Sequence, residues 1–147
     1  MAVDATAWLA ALRRYLFASA FGHALWETLQ LPLYTIWFEG TPGQIAFAVA
    51  HCTGGDVLIA GATLVGALIA FGRGWPNDRA AFRNVALAAI ALGVAYTVYS
   101  EWLNVTVRGT WTYSPWMLQL PPLGTGLSPL VQWLVVPAFA FRWARRR

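Results

Sequence analysis

The chain has 147 residues, of which 59% are hydrophobic and 11% charged, with nine Trp and a formal net charge of +4. Soluble domains carry about 25% charged residues, so the composition excludes an ordinary soluble domain and predicts a single integral membrane domain over residues 1–147. A spanning helix needs about 20 residues, which limits the chain to four or five spans, and the lone Cys52 excludes an internal disulfide or a cysteine-rich zinc module.

Hydrophobic periodicity with Pro and Gly punctuation places the first span at about residues 8–38. His23, Glu27, Gln30 and Tyr34 recur at i, i+4, i+7 and i+11, which keeps them on one face of a regular helix. Pro32 predicts a kink in that stripe, because it removes a backbone donor. Ala18-Ser19-Ala20 imitates a signal-peptidase site but has no apolar h-region before it, so the first helix is expected to be retained. Gly40-Thr41-Pro42-Gly43 closes the span.

The second span is predicted at about residues 45–71, with Cys52, Asp56 and Thr63 on one face and His51 about 140° from Asp56. Gly54 and Gly55 lie between them and are expected to bend the backbone so that both face inward. Ala62, Gly66 and Ala70 form a small-residue ladder for close helix packing, and Ala89 with Gly93 repeats it on the third span, at about residues 84–105. That third span carries Thr97, Ser100, Glu101 and Asn104 on one side. Residues 106–127 form an outer loop with Trp111, Tyr113 and Trp116, read first as an interfacial aromatic belt and second as a lid. The fourth span, at about residues 128–144, offers Ser128 and Gln132 as polar groups and Pro137 as a second kink.

Arg13, Arg14, Arg73, Arg79, Arg83, Arg142, Arg145, Arg146 and Arg147 all fall on one side of this arrangement, with Arg108 alone on the other. The positive-inside rule then makes both termini cytoplasmic. The basic residues are all Arg, which with the abundant Ala, Gly and Trp suggests a bacterial inner membrane. Because they orient helix ends, they predict no nucleic-acid partner. The expected fold is therefore an all-α, multi-pass four-helix bundle.

An ionisable side chain at the bilayer centre costs at least about 2.5 to 3.5 kcal/mol, so His23, Glu27, His51, Asp56 and Glu101 require a reason, and the default is a functional site facing the bundle interior. At a rise of about 1.5 Å per residue, Glu27 lies about 20 Å in from Arg14 and Asp56 about 16 Å in from Ile45, so the two meet near the midplane. The column is expected to open outward past His51, Glu101, Asn104 and Gln132. No Lys or Arg shares these spans to neutralise the acids, which suits them to proton transfer.

The leading expectation is an enzyme doing acid/base chemistry on a lipid, isoprenoid or sterol-like molecule. His23, Glu27, Asp56 and Glu101 are the catalytic candidates, while Trp26, Gln30, Tyr34, Asn104, Gln132 and Trp133 line the substrate site, with Trp102 as a further wall. Glu27, then Gln30-Leu31-Pro32, then His51 with Thr53 one helix later, resemble the EXPERA family of sterol-isomerase-like membrane proteins over the first two spans, and the resemblance implies the same kind of chemistry. Two alternatives stand beside this. His23, Glu27, His51, Asp56 and Glu101 suffice for a metal site or a proton- or ion-conducting column. Otherwise the polar residues lock the helices together, within a homo-oligomer or a larger membrane complex. No cofactor is specified by the sequence.

Overall fold

The computed structural model describes residues 5–146, so Arg147, counted above among the basic residues, lies outside the described residues. The chain is mostly helical: α1 (Ala5–Gln30), a 3-10 turn (Leu31–Leu33), a short α2 (Ile36–Glu39), α3 (Pro42–Phe71), α4 (Arg79–Glu101) and α5 (Leu127–Ala144). A π-helical turn (Trp102–Val107) extends α4, and a two-residue antiparallel hairpin, β1 (Gln119–Leu120) and β2 (Thr125–Gly126), precedes α5.

Local chemistry explains where the elements begin and end. Pro32 has no N–H to continue the helical ladder, so α1 stops at Gln30 and Tyr34 adopts an extended conformation. The first predicted span is thus three pieces, and Tyr34 leaves the helix that carries His23 and Glu27. Thr41 and Gln44 form a reciprocal capping box that starts α3 at Pro42, and the Asp78 side chain accepts from the Ala81 N–H to start α4 at Arg79, five residues before the predicted boundary.

The four long helices pack as a ring in which α1 contacts α3 and α5, and α4 contacts the same two. Tyr15, Ala18, Ala60, Leu64, Ala67, Val85, Ala89, Trp133, Ala140 and Phe141 fill the centre. The small residues allow this closeness, most sharply at Gly93, where an added Cβ would stand 2.3 Å from a ring carbon of Trp133. The predicted small-residue ladder holds only in part: Ala89 and Gly93 are buried against α5, whereas Ala62 and Ala70 are exposed and Ala60, Leu64 and Ala67 take the interior face of α3.

Two helices, Pro42–Phe71 and Arg79–Val107, are long and apolar enough to cross a membrane. Large apolar side chains nonetheless cover the outside of all four long helices, Phe17, Phe21, Leu58, Ile69, Leu87 and Phe139 among them. Several of the arginines gather at one end. The Arg14 guanidinium donates to the Arg146 carbonyl, Arg145 stacks over Phe82, and Arg79, Arg83 and Arg145 line one cleft.

Gly93→Val should lower the unfolding midpoint, because forcing atoms into this contact costs about 1 to 3 kcal/mol. Thermal unfolding in detergent, with Gly61→Ala as the control where no atom lies within 4 Å of the added Cβ, measures it.

Candidate functional site

The site is built from three helices around one amide. Gln132 on α5 is 1% exposed, and its Nε2 lies 2.9 Å from Glu27 Oε1, 2.9 Å from Asp56 Oδ2 and 3.0 Å from His23 Nδ1. Glu27 and His23 stand one helical turn apart on α1 and therefore share a face; Asp56 enters from α3. His23 Nδ1 also lies 3.3 Å from Asp56 Oδ2, and the Glu27 and Asp56 carboxyl groups lie within electrostatic reach of each other.

A second layer holds the first. Gln30 Nε2 donates to Glu27 Oε1 at 2.8 Å and to Gln132 Oε1 at 3.3 Å. The Ser128 hydroxyl donates to Gln30 Oε1 at 2.8 Å and accepts from the Trp26 indole at 3.1 Å. Trp26 and Gln30 thus brace the centre through α5, and the Trp133 ring packs 4.9 Å from the His23 ring.

Glu101, buried on α4, faces a different partner. The Tyr113 hydroxyl donates to its carboxylate and accepts from the Gly126 N–H at 2.9 Å. Burial, together with the neighbouring Glu101 carboxyl, holds the Tyr113 phenol above its ordinary value against the opposing pull of the Gly126 hydrogen bond, so it remains a donor. The Trp111 indole lies beside the same carboxyl in a geometry that falls short of a hydrogen bond. Tyr34 sits between the two halves, within electrostatic reach of Glu27, Glu101 and Cys52, its ring 5.6 Å from that of Tyr113.

The outer loop is tied down at residues 112–114. Thr35 N–H donates to Thr112 O, Ser114 N–H to Leu33 O and the Ser114 hydroxyl to Pro32 O. The expected outward opening is therefore covered, and the loop divides by residue: Tyr113 is a buried plug, whereas Trp116 is 73% exposed, as an interfacial aromatic would be. What opens instead is a lateral apolar groove of about 650 Å³ between α1 and α3, lined by Ala24, Thr28, Leu31, Val49, Ala50 and Thr53 among others.

Several expected members are elsewhere. His51 is exposed and stacks on Phe47, ring centroids 5.5 Å apart, because α3 runs unbroken through Gly54 and Gly55 and keeps the regular offset from Asp56. Asn104 is engaged by its own helix, donating to the Ser100 carbonyl and hydroxyl. Trp102 lies at the surface. Among the described residues no group of three or more His, Cys, Asp or Glu is set to hold a metal ion; His23, Glu27 and Asp56 converge on a point that the Gln132 amide fills. Tyr113, Gly126 and the bracing role of Ser128 were not foreseen. Tyr113 and Gly126 come from an irregular loop with no periodicity to read, while Ser128 had only its four-residue spacing to Gln132.

No family model, curated protein or solved structure matches the chain. The likeness of Glu27, Gln30-Leu31-Pro32 and His51 to the EXPERA family therefore stands on those residues alone, and the outward position of His51 separates it from the others.

Tyr113→Phe should destabilise the protein by about 1 to 3 kcal/mol, since it leaves the Glu101 carboxyl and the Gly126 N–H buried without their partner. It should also speed proteolysis within residues 106–127, which limited digestion of wild type and variant reads directly.

Proposed function

We propose that this is a four-span membrane protein with both ends at the cytoplasmic face of a bacterial inner membrane, and that its His23–Glu27–Asp56 centre does acid/base chemistry on a lipid-like molecule. The apolar outer faces of α1 and α5 and the arginines collected at one end support that placement, since cytoplasmic helix ends carry the basic excess.

One observation carries the chemical reading. An amide nitrogen bears two hydrogens, and Gln132 Nε2 has two carboxylate acceptors at 2.9 Å and His23 Nδ1 at 3.0 Å, whose role depends on the tautomer. The imidazole resolves the crowding through its tautomer, because Nδ1 lies 3.3 Å from Asp56 Oδ2 and can donate there while the amide hydrogens go to Glu27 and Asp56. Two part-buried carboxyl groups and a buried imidazole then stand side by side, groups of the kind that give and take protons in general acid/base catalysis. The groove supplies access. Thr28 and Leu31 flank Glu27 and Gln30 on α1, Thr53 lies one turn before Asp56 on α3, and Thr53 Oγ1 is buried without a hydrogen-bond partner. A volume of this size suits a ligand whose body is apolar and whose polar end reaches a few fixed groups.

A second reading, a structural lock, draws on the pairing of both amides, which ties α1, α3 and α5 together. Interhelical hydrogen bonds in membranes average about 0.6 kcal/mol each. Lipids extracted from membranes expressing wild type and Glu27→Gln separate the two. Acid/base chemistry predicts a species that changes mass or double-bond position only with wild type; identical profiles from two equally stable proteins would overturn it. Native mass spectrometry tests the groove, because Ala50→Trp should displace a bound lipid that wild type retains.

A further inference from the structure

The polar stripe of α1 does not stop at His23. Stepping back by fours, it continues through Ser19 to Tyr15, and these three side chains are 0%, 0% and 1% exposed. Tyr15 Oη, Ser19 Oγ and His23 Nε2 are each buried without a hydrogen-bond partner among the described residues. The Tyr15 and Ser19 hydroxyls sense one another but in a geometry short of a hydrogen bond. Helical side chains lean toward the N-terminus, so His23 leans over Ser19 and Ser19 over Tyr15. On the facing helix, buried Pro137 has no N–H to give the Trp133 carbonyl, and the Trp133 ring packs against the imidazole.

Three unpartnered polar atoms on successive turns of one buried helix face are unusual, since buried polar groups are almost always satisfied by protein or by ordered water. As packing residues they would be poorly chosen; Ala or Phe would fill the same space. We propose that Tyr15, Ser19 and His23 form a proton path, bridged by internal water, between the carboxyl centre and the arginine-rich end of the bundle. A proton entering from that end, past the aromatic side chains over Tyr15, protonates the file from behind. Each hydroxyl accepts one proton and passes its own forward, so none retains charge, and the proton arriving at His23 Nε2 is balanced by release from Nδ1 to Asp56, 3.3 Å away.

The path ends beneath an aromatic cap. Tyr15 packs on Phe141, Phe141 on Phe82 and Phe82 on Trp75, and the Trp75 indole N–H is also buried and unpartnered. The path replaces protons that chemistry at Glu27 and Asp56 consumes, and it rests on the acid/base reading of the centre.

Infrared spectroscopy of the protein in liposomes tests it. The bands of a protonated carboxyl or imidazolium, assigned by their loss in Glu27→Gln, Asp56→Asn or His23→Gln, should shift on transfer to D2O. Tyr15→Phe and Ser19→Val should slow that shift about tenfold, as losing one step of a relay raises its barrier. Ser19→Ala, which leaves room for water, should exchange at a rate near wild type. Equal rates in all variants, each folded by circular dichroism, would overturn the path while leaving the site reading intact. Absence of any such band in wild type would remove the proton in the centre, and the path with it.

Discussion

The arrangement depends on the Gln132 amide standing where two carboxyl groups and an imidazole converge. An unpaired carboxylate among apolar helices is costly, and His23, Glu27 and Asp56 come from two helices that would repel one another's acids if left alone. A donor from a third helix, itself held by Gln30, turns that liability into the point at which α1, α3 and α5 agree on their positions. Direct hydrogen bonds at 2.9–3.0 Å require α5 to approach closely. The glycines make this possible: Gly93 accepts the Trp133 ring and Gly22 lies against Val136.

The second constraint is the break after Gln30. Had α1 continued, Tyr34 would have remained on the helix and residues 112–114 would have had no backbone to pair with. Because Pro32 ends the ladder, the carbonyls of Pro32 and Leu33 and the N–H of Thr35 become free to bind the outer loop. Tyr113 is thereby delivered onto Glu101. A single proline thus links the outer cover to the interior acid Glu101.

Much of the site was readable from spacing. His23, Glu27 and Gln30 were placed on one face by helical periodicity, and they do share it; Asp56 was placed at the same depth, and it meets them. The stripe was cut short at His23, although the same four-residue step leads to Ser19 and Tyr15, because neither residue is charged and neither announces itself in an apolar run. His51 failed for the opposite reason. Two glycines were credited with a bend, but a helix with no neighbour pressing on Gly54 or Gly55 has nothing to bend it.

Sequence alone determined the helical character, the apolar exterior, the clustering of arginines at one end and the set of acids lacking basic partners, because each follows from composition and from a period of about 3.6 residues. Only the tertiary structure decided which acids share a partner: Glu27 and Asp56 with His23 around Gln132, Glu101 apart with Tyr113. That choice turns on how α5 and the outer loop pack across long stretches of chain, where no local period relates one residue to another.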